Sequence, residues 1–516
     1  MVRSTVDYSL LIHHTIRQRL LELAHSALSP LMLDAELDRL TSLEGNLAGG
    51  ALSLLEDGTD EKVAHVACGF LMKLDSASVV EAIMPFLYSP RISDTSKADL
   101  LRVLSYHGWE VQDFLTPSIF HDVQKLAVDS MEELLQDLSR DPDVLGNILE
   151  EFAEFTPEMQ LAYIQDWALL KDPRVVPIFA ALGHSDDEVI AAEAIRGLGS
   201  LPTAESLAAL GDILVTLDQT FLRELALREE RRLRFKGIVP AMPAPRSLGD
   251  FFSVMVTGLD GNGCRIVWLA RFLEGSHGPL MAASFLVSAE DGLKDCYGST
   301  RLSQEDAESL LGTLRARYST LDDDLAYATA ILEDGLFTNK GSIAPLPPQW
   351  RFWQQVLHPL RLSPRPFTPA AVGSDPDLTP AALSELLQTK EIADWYEEDP
   401  AVYDAAEELT RIRQRYKTAW PRSRATEDLL TRLVVHLFQP RLDQVIRRLD
   451  LTADFLARRG KPTCASALGH ITGRLRHGEP PAHNAFLRGL ASMSLRVAEH
   501  NLRSGYDVRK DPDFLE

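Results

Sequence analysis

Chemistry in this chain would have to begin from a small set of residues. Cys296, in the stretch KDCYGS, is a candidate nucleophile with His277 as its base. A thiolate needs a lowered pKa, and only Lys294 stands nearby to supply a compensating charge. The thiol therefore reads as a buried or half-buried side chain in a turn at a strand end. His470, His477 and His483 gather near Glu479. No two of them are four apart, the spacing that places two imidazoles on one helix face for zinc. They read as surface or turn histidines. Asp260-Gly-Asn-Gly263 resembles the opening of a calcium loop, but apolar residues follow where liganding oxygens and a distal acid are needed. A hairpin turn is the expectation there. The phosphate-loop pattern GxxxxGK[ST] and the dinucleotide pattern GxGxxG are both missing. No catalytic residue, metal ligand or cofactor is assigned.

Charge gives a second set of candidates. The 516 residues carry a net charge of −23, which opposes general binding to nucleic acid. The distribution is uneven. Residues 411–510 hold 20 Lys+Arg against 8 Asp+Glu, whereas residues 1–410 hold 32 against 64. Arg447, Arg448, Arg458, Arg459 and Lys461 are the candidate partner-binding residues, with Arg474, Arg476, Arg488 and Arg496 beyond them. They suit an acidic protein or RNA. The alternatives are a solvated face, or docking onto the acidic half of the same chain, which needs no partner. The segment EIADWYEEDPAVYDAAEE (391–408) carries eight acids and is a candidate internal mate. Its rings Trp395, Tyr396 and Tyr403 also read as ordinary core anchors.

Helices must position most of these residues. In IFAALGHSDDEVIAAEAIRGLGSLPTAESLAALG (178–211), Ser185 to Glu188 has the S-x-x-E form of a capping box. Ile190, Ala191, Ala194, Ile195 and Leu198 then recur at helical spacing, and Gly199 and Pro202 mark a stop. A shorter helix, DPRVVPIFAAL, precedes and another, TAESLAAL, follows. AALG at 180–183 returns at 208–211. DEKVAHVACGFLMKL from Asp60 repeats the phrase, with Val63, Val66, Ala67, Phe70, Leu71 and Leu74 as its stripe, and DSASVVEAIMPFL from Asp75 follows it. Two self-similar helices per roughly 30 residues predict a helical solenoid, because one pair cannot bury its apolar face alone.

The stretch DPRVVPIFAALGHSDDEVIAAEAIRGLGSL resembles a HEAT repeat, of the short kind also found in phycobilin lyase subunits. The likeness is clearest over 172–215 and thins over 44–110 and 111–170. It implies an α-solenoid and protein binding, and it implies no chemistry. A helical bundle without repeat geometry is the plain alternative. Some HEAT-like hydroxylases hold iron through repeated His-Glu dipeptides, and this chain contains none.

The period changes in the middle of the chain. FFSVMVTG (251–258), CRIVWLARFL (264–273) and LMAASFLVS (280–288) are β-branched and aromatic, joined by Gly-rich turns. They predict a three-stranded antiparallel meander covered by the helix SQEDAESLLGTLRARY. The organisation expected is a mainly α chain: a HEAT-like α-solenoid over 1–236, a linker over 237–247, a small antiparallel α+β module over 248–318 and a helical segment over 319–362. A Pro-rich linker, extended and exposed, spans 363–380, and a basic C-terminal helical bundle spans 381–516. Thr379-Pro380 is a helix start, and further helices are expected at 426–438, 441–459 and 484–503.

Cys68, Cys264, Cys296 and Cys464 lie far apart and form no metal-type pair, which fits a reducing compartment. The N-terminal stretch reads as an amphipathic helix rather than a signal peptide, and no run of about 18 apolar residues exists. A cytoplasmic location without membrane contact follows as the expectation. The leading functional reading is a non-enzymatic scaffold that binds a protein partner through the solenoid surface. The alternatives are a ligand-binding or lyase-like role of the α+β module, and RNA binding by the basic C-terminal region.

Overall fold

The computed structural model describes residues 8–26, 28, 30–43, 45–56, 60–109, 111, 114, 116, 118–217, 219–239, 251–272, 279–342, 344–357, 360–370 and 379–510. Most of the 237–247 linker, His277 and residues 371–378 of the Pro-rich linker lie outside them. The chain divides into two compact units, Met1–Asp141 and Pro142–Glu516. The second takes in part of the 1–236 span together with the sheet and the C-terminal helices. Among the described residues the chain is mainly helical, with one five-stranded antiparallel sheet.

The first unit holds α1 (Tyr8–Ala24), α2 (Pro30–Thr41), α3 (Leu47–Glu56), α4 (Glu61–Met72), α5 (Ser76–Leu87), α6 (Asp94–Tyr106) and α7 (Val123–Arg140). Asp60 and Asp75 cap α4 and α5, their carboxylates accepting from Lys62 N and Ser78 N. The α4 stripe enters the core: Val63, Val66, Ala67, Phe70 and Leu71 are buried among Ile16, Leu20, Leu52 and Ile83. Burying a side chain such as Phe70 contributes about 2–3 kcal/mol.

The second unit begins with α8 (Val144–Glu154), α9 (Pro157–Leu170), α10 (Val176–Leu182), α11 (Glu188–Ser200), α12 (Ala204–Thr216) and α13 (Thr220–Phe235). Alternate helices pack together: α11 touches both α9 and α13, and α10 touches α12. The cap of α11 differs from expectation. Asp187 is the cap, accepting from Val189 N at 2.8 Å and Ile190 N at 3.2 Å, while Ser185 Oγ only accepts from Asp187 N. A carboxylate accepts more strongly than a hydroxyl, so the later residue sets the helix start. Gly199 does not stop the helix, which runs to Ser200. A Cβ there would come 2.3 Å from Glu229 Oε2, so the glycine lets α13 approach α11. Gly211 lies inside α12 and ends nothing.

The sheet comprises β1 (Phe251–Thr257), β2 (Cys264–Phe272), β3 (Leu280–Ser288), β4 (Gly292–Leu302) and β5 (Thr320–Asp322), in the order β4-β3-β2-β1-β5. The meander therefore has a fourth strand, β4, beyond the three expected, β5 joins the free edge of β1, and Cys296 sits within β4 opposite Phe285, not in a turn. On one face, Met255, Trp268, Ala270 and Phe272 meet Ala307 and Leu311 of α14 (Gln304–Arg317). The other face is covered by α15 (Leu325–Gly341) and α16 (Trp350–Val356), with Phe285 edge-on to Trp350 and Trp353. This double cover explains why Arg265 and Arg271 are buried. Arg265 donates to the Tyr327 hydroxyl and Arg271 to the Val356 carbonyl. In the helical segment expected over 319–362 the first helix begins only at Leu325, after the short β5.

The C-terminal helices are α17 (Pro380–Leu387), α18 (Pro400–Arg415), α19 (Ala419–Phe438), α20 (Leu442–Arg458), α21 (Pro462–Arg476) and α22 (Ala485–Ser504). Thr379 caps α17 with Pro380 in its first turn. Trp395 and Tyr403 are buried in the core of these helices. Leu259 and Ala289, from two hairpin turns of the sheet, enter the same core, so sheet and bundle fold against each other.

Candidate functional site

Two places answer to the residues singled out by the sequence, and a third emerges only in the fold. The first is the basic face of α20 and the turn that follows it. Arg447, Arg448, Arg458, Arg459 and Lys461 all pair within the chain. Arg447 reaches Asp334 at 2.7 Å and the Ala289 carbonyl at 3.1 Å. Arg448, 11% exposed, pairs with Glu290 at 2.5 Å and donates to the Gly261 and Asn262 carbonyls. Arg458 binds Asp454 at 2.9 Å and Asp324 at 3.3 Å, with its guanidinium 4.4 Å from the Tyr327 ring centre. Arg459 and Lys461 converge on Glu391, at 2.7 and 2.8 Å. Burial alone would raise the Glu391 pKa, but hydrogen bonds from Lys461, its own backbone N–H and Ser319 hold the carboxyl below its ordinary value. Glu391 opens the acidic segment, so that segment supplies an internal mate, while Trp395 and Tyr403 anchor the core. Trp395 also donates from Nε1 to the Leu259 carbonyl.

These pairs join α20 to the turns of the sheet and to α15. The basic face thus works as a seam inside the second unit. Gly263 belongs to it: its φ is +73°, and a Cβ there would lie 2.6 Å from Arg448 Nε. Arg474 pairs with Glu479, Arg476 with Asp450 and Arg488 with Glu427. Arg496 is exposed.

A second place is a cavity of about 340 Å³ where the sheet module meets residues 390–398. Three of its charged lining residues, Asp260, Lys390 and Glu391, are engaged within the chain. Asp260 accepts from Asn262 N and Cys264 N, which makes DGNG a hairpin turn between β1 and β2. Lys390 donates to the Ala316 and Tyr318 carbonyls, and Glu391 is held as described.

The third is a larger cleft of about 730 Å³, which no sequence motif announced. The α10–α11 turn contributes His184, Ser185 and Asp186. Leu217 and Leu222 come from α12–α13, Leu336 and Lys340 from α15, and Trp350, Arg351 and Gln354 from α16. Burial, helped by the Arg351 charge, pulls the His184 pKa down to about 4, so the ring is neutral near pH 7. The Arg351 side chain is 18% exposed and pairs at 3.2 Å with Asp186, which is 76% exposed.

Thiol chemistry at Cys296 finds little support. Burial, with the charges of Asp295 and Glu150, raises the Cys296 pKa, and burial pushes Cys68 up to about 12. His277 falls outside the described residues. Among the described residues no group of three His, Cys, Asp or Glu side chains is placed to hold a metal ion. Nor is any described helix long and apolar enough to cross a membrane. No protein-family model, curated protein or solved structure matches the chain.

Proposed function

We propose that the chain is a non-enzymatic scaffold, built on HEAT-like helix pairs stacked as an α-solenoid, that binds a protein partner through its helical surface. The packing of α11 with α9 and α13, and of α10 with α12, supports the repeat reading. One observation carries the binding reading. Seven of the twelve exposed large apolar side chains described in the second unit lie between Leu169 and Val239. That concentration marks α9–α13 as the sticky part of the surface, since solvent-facing apolar side chains are ordinarily scattered. Val215 and Phe221, 83% and 51% exposed, flank a single loop.

RNA binding is not proposed, because Arg447, Arg448, Arg458, Arg459 and Lys461 are engaged in the seam, and Arg474, Arg476 and Arg488 pair with Glu479, Asp450 and Glu427. A lyase-like role for the sheet module is not proposed either, because Asp260, Lys390 and Glu391 at its cavity are engaged within the chain. The test is affinity purification of the full chain with mass spectrometry, beside the variant Val215→Asp/Phe221→Asp. A stoichiometric protein recovered with the wild type and lost with the variant supports the reading. Recovery of none, or equal recovery by the variant, contradicts it.

A further inference from the structure

We propose that the cleft between the α10–α11 turn and α16 binds a small organic anion: a carboxylate with an apolar body, its head on the Arg351 guanidinium. This goes beyond the scaffold reading and does not depend on it. The volume, about 730 Å³, lies in the range of small-molecule pockets.

The argument rests on how Arg351 is satisfied. A guanidinium carries five N–H donors in a fixed planar fork. Arg351 donates to Asp186 Oδ1 at 3.2 Å and to Gln354 Oε1 at 3.5 Å. Both bonds are long for a charge-assisted contact, whose ordinary length is about 2.7–2.9 Å. The Asp186 carboxylate is mostly in water, so its hold on the arginine is weak. The Arg351 side chain is nevertheless mostly buried, and burial lowers the guanidinium pKa. A mostly buried cation with long, few protein bonds, facing a cleft, keeps donors open to a ligand. A planar carboxylate that accepts two parallel N–H bonds would complete it.

The remaining wall selects the body of the ligand. Trp350, Leu336 and Leu222 are buried and line the cleft with Leu217, Leu346 and Leu362. Lys340, exposed at the rim, adds a second positive charge, and Asp186 is the lone acidic residue of the lining. A ligand carboxylate therefore takes the place of Asp186, which swings into solvent.

The probe is sodium octanoate, titrated calorimetrically into the full-length protein, with methyl octanoate and octyl phosphate as parallel arms. Octanoate should bind and methyl octanoate should bind roughly tenfold more weakly or not at all, since the ester removes the charge. Arg351→Met should weaken octanoate by about tenfold or more. Asp186→Asn should tighten it a few-fold, because the competing carboxylate is gone. That gain separates the proposal from a merely misfolded Arg351 variant, as loss of structure does not improve binding. Tighter binding of octyl phosphate would assign the head group to phosphate rather than carboxylate and overturn the ligand class. Equal binding of the ester, or no change in either variant, would overturn the site.

Discussion

Glu391 is the most exacting test of the seam. Its side chain is fully buried, and it holds Arg459 and Lys461, which are 27% and 39% exposed. Glu391→Gln keeps the shape and removes the charge. Breaking a fully buried ion pair costs about 3–5 kcal/mol. Here both cations reach water and can resolvate, which places the effect near the low end, about 3 kcal/mol. The second unit spans 375 residues (142–516), so its unfolding entropy is about 0.8 kcal/mol/K. If the unit melts as one, its Tm should fall by about 4 °C, read by calorimetry at pH 7. The pH dependence has a fixed sign. The folded pKa is depressed below the ordinary 4.5, so the stabilisation is fully present above the unfolded value. It is lost as pH falls through the folded pKa. The gap between wild type and Glu391→Gln should therefore be constant from pH 7 down to about 5 and close below pH 4.5. A shift under about 1 °C, or a gap that persists undiminished at pH 3, would refute the pairing.

Two further outcomes follow from the local geometry. Asp187→Ala should cost about 1 kcal/mol and speed hydrogen exchange at the Val189 and Ile190 amides roughly fivefold, whereas Ser185→Ala should leave both nearly unchanged. Equal effects would restore Ser185 as the cap. Burial raises the pKa of all four cysteines, but Cys464 is partly exposed whereas Cys68, Cys264 and Cys296 are buried. A thiol reagent followed by intact-mass measurement should modify Cys464 first in the native protein, and early modification at Cys296 would contradict its place in β4.

Much of the helical structure is legible because its signals are local. Asp60, Asp75 and Thr379 cap where an acceptor precedes an apolar period, and the α4 stripe enters the core as spaced. β4 escaped because GLKDCYGSTRL is an edge strand, half exposed and rich in Gly, Ser and charge, without the alternation that marks a covered strand. β5 is three residues long, too short for any period. The charge asymmetry was visible, but not that it points inward. Arg447 and Asp334 are 113 residues apart, and Arg448 and Gly261 are 187 apart. Such partners meet only through the packing of α20 on the sheet. The large cleft was invisible for the same reason, since its wall is gathered from residue 184 to residue 364.

The scaffold reading is tested most directly by hydrogen-exchange mapping of the purified complex with its co-isolated partner. The account predicts new protection over α11–α13, centred on the loop between Val215 and Phe221, with 442–461 unchanged from the free protein. Protection confined to 442–461, with α9–α13 unaffected, would contradict it.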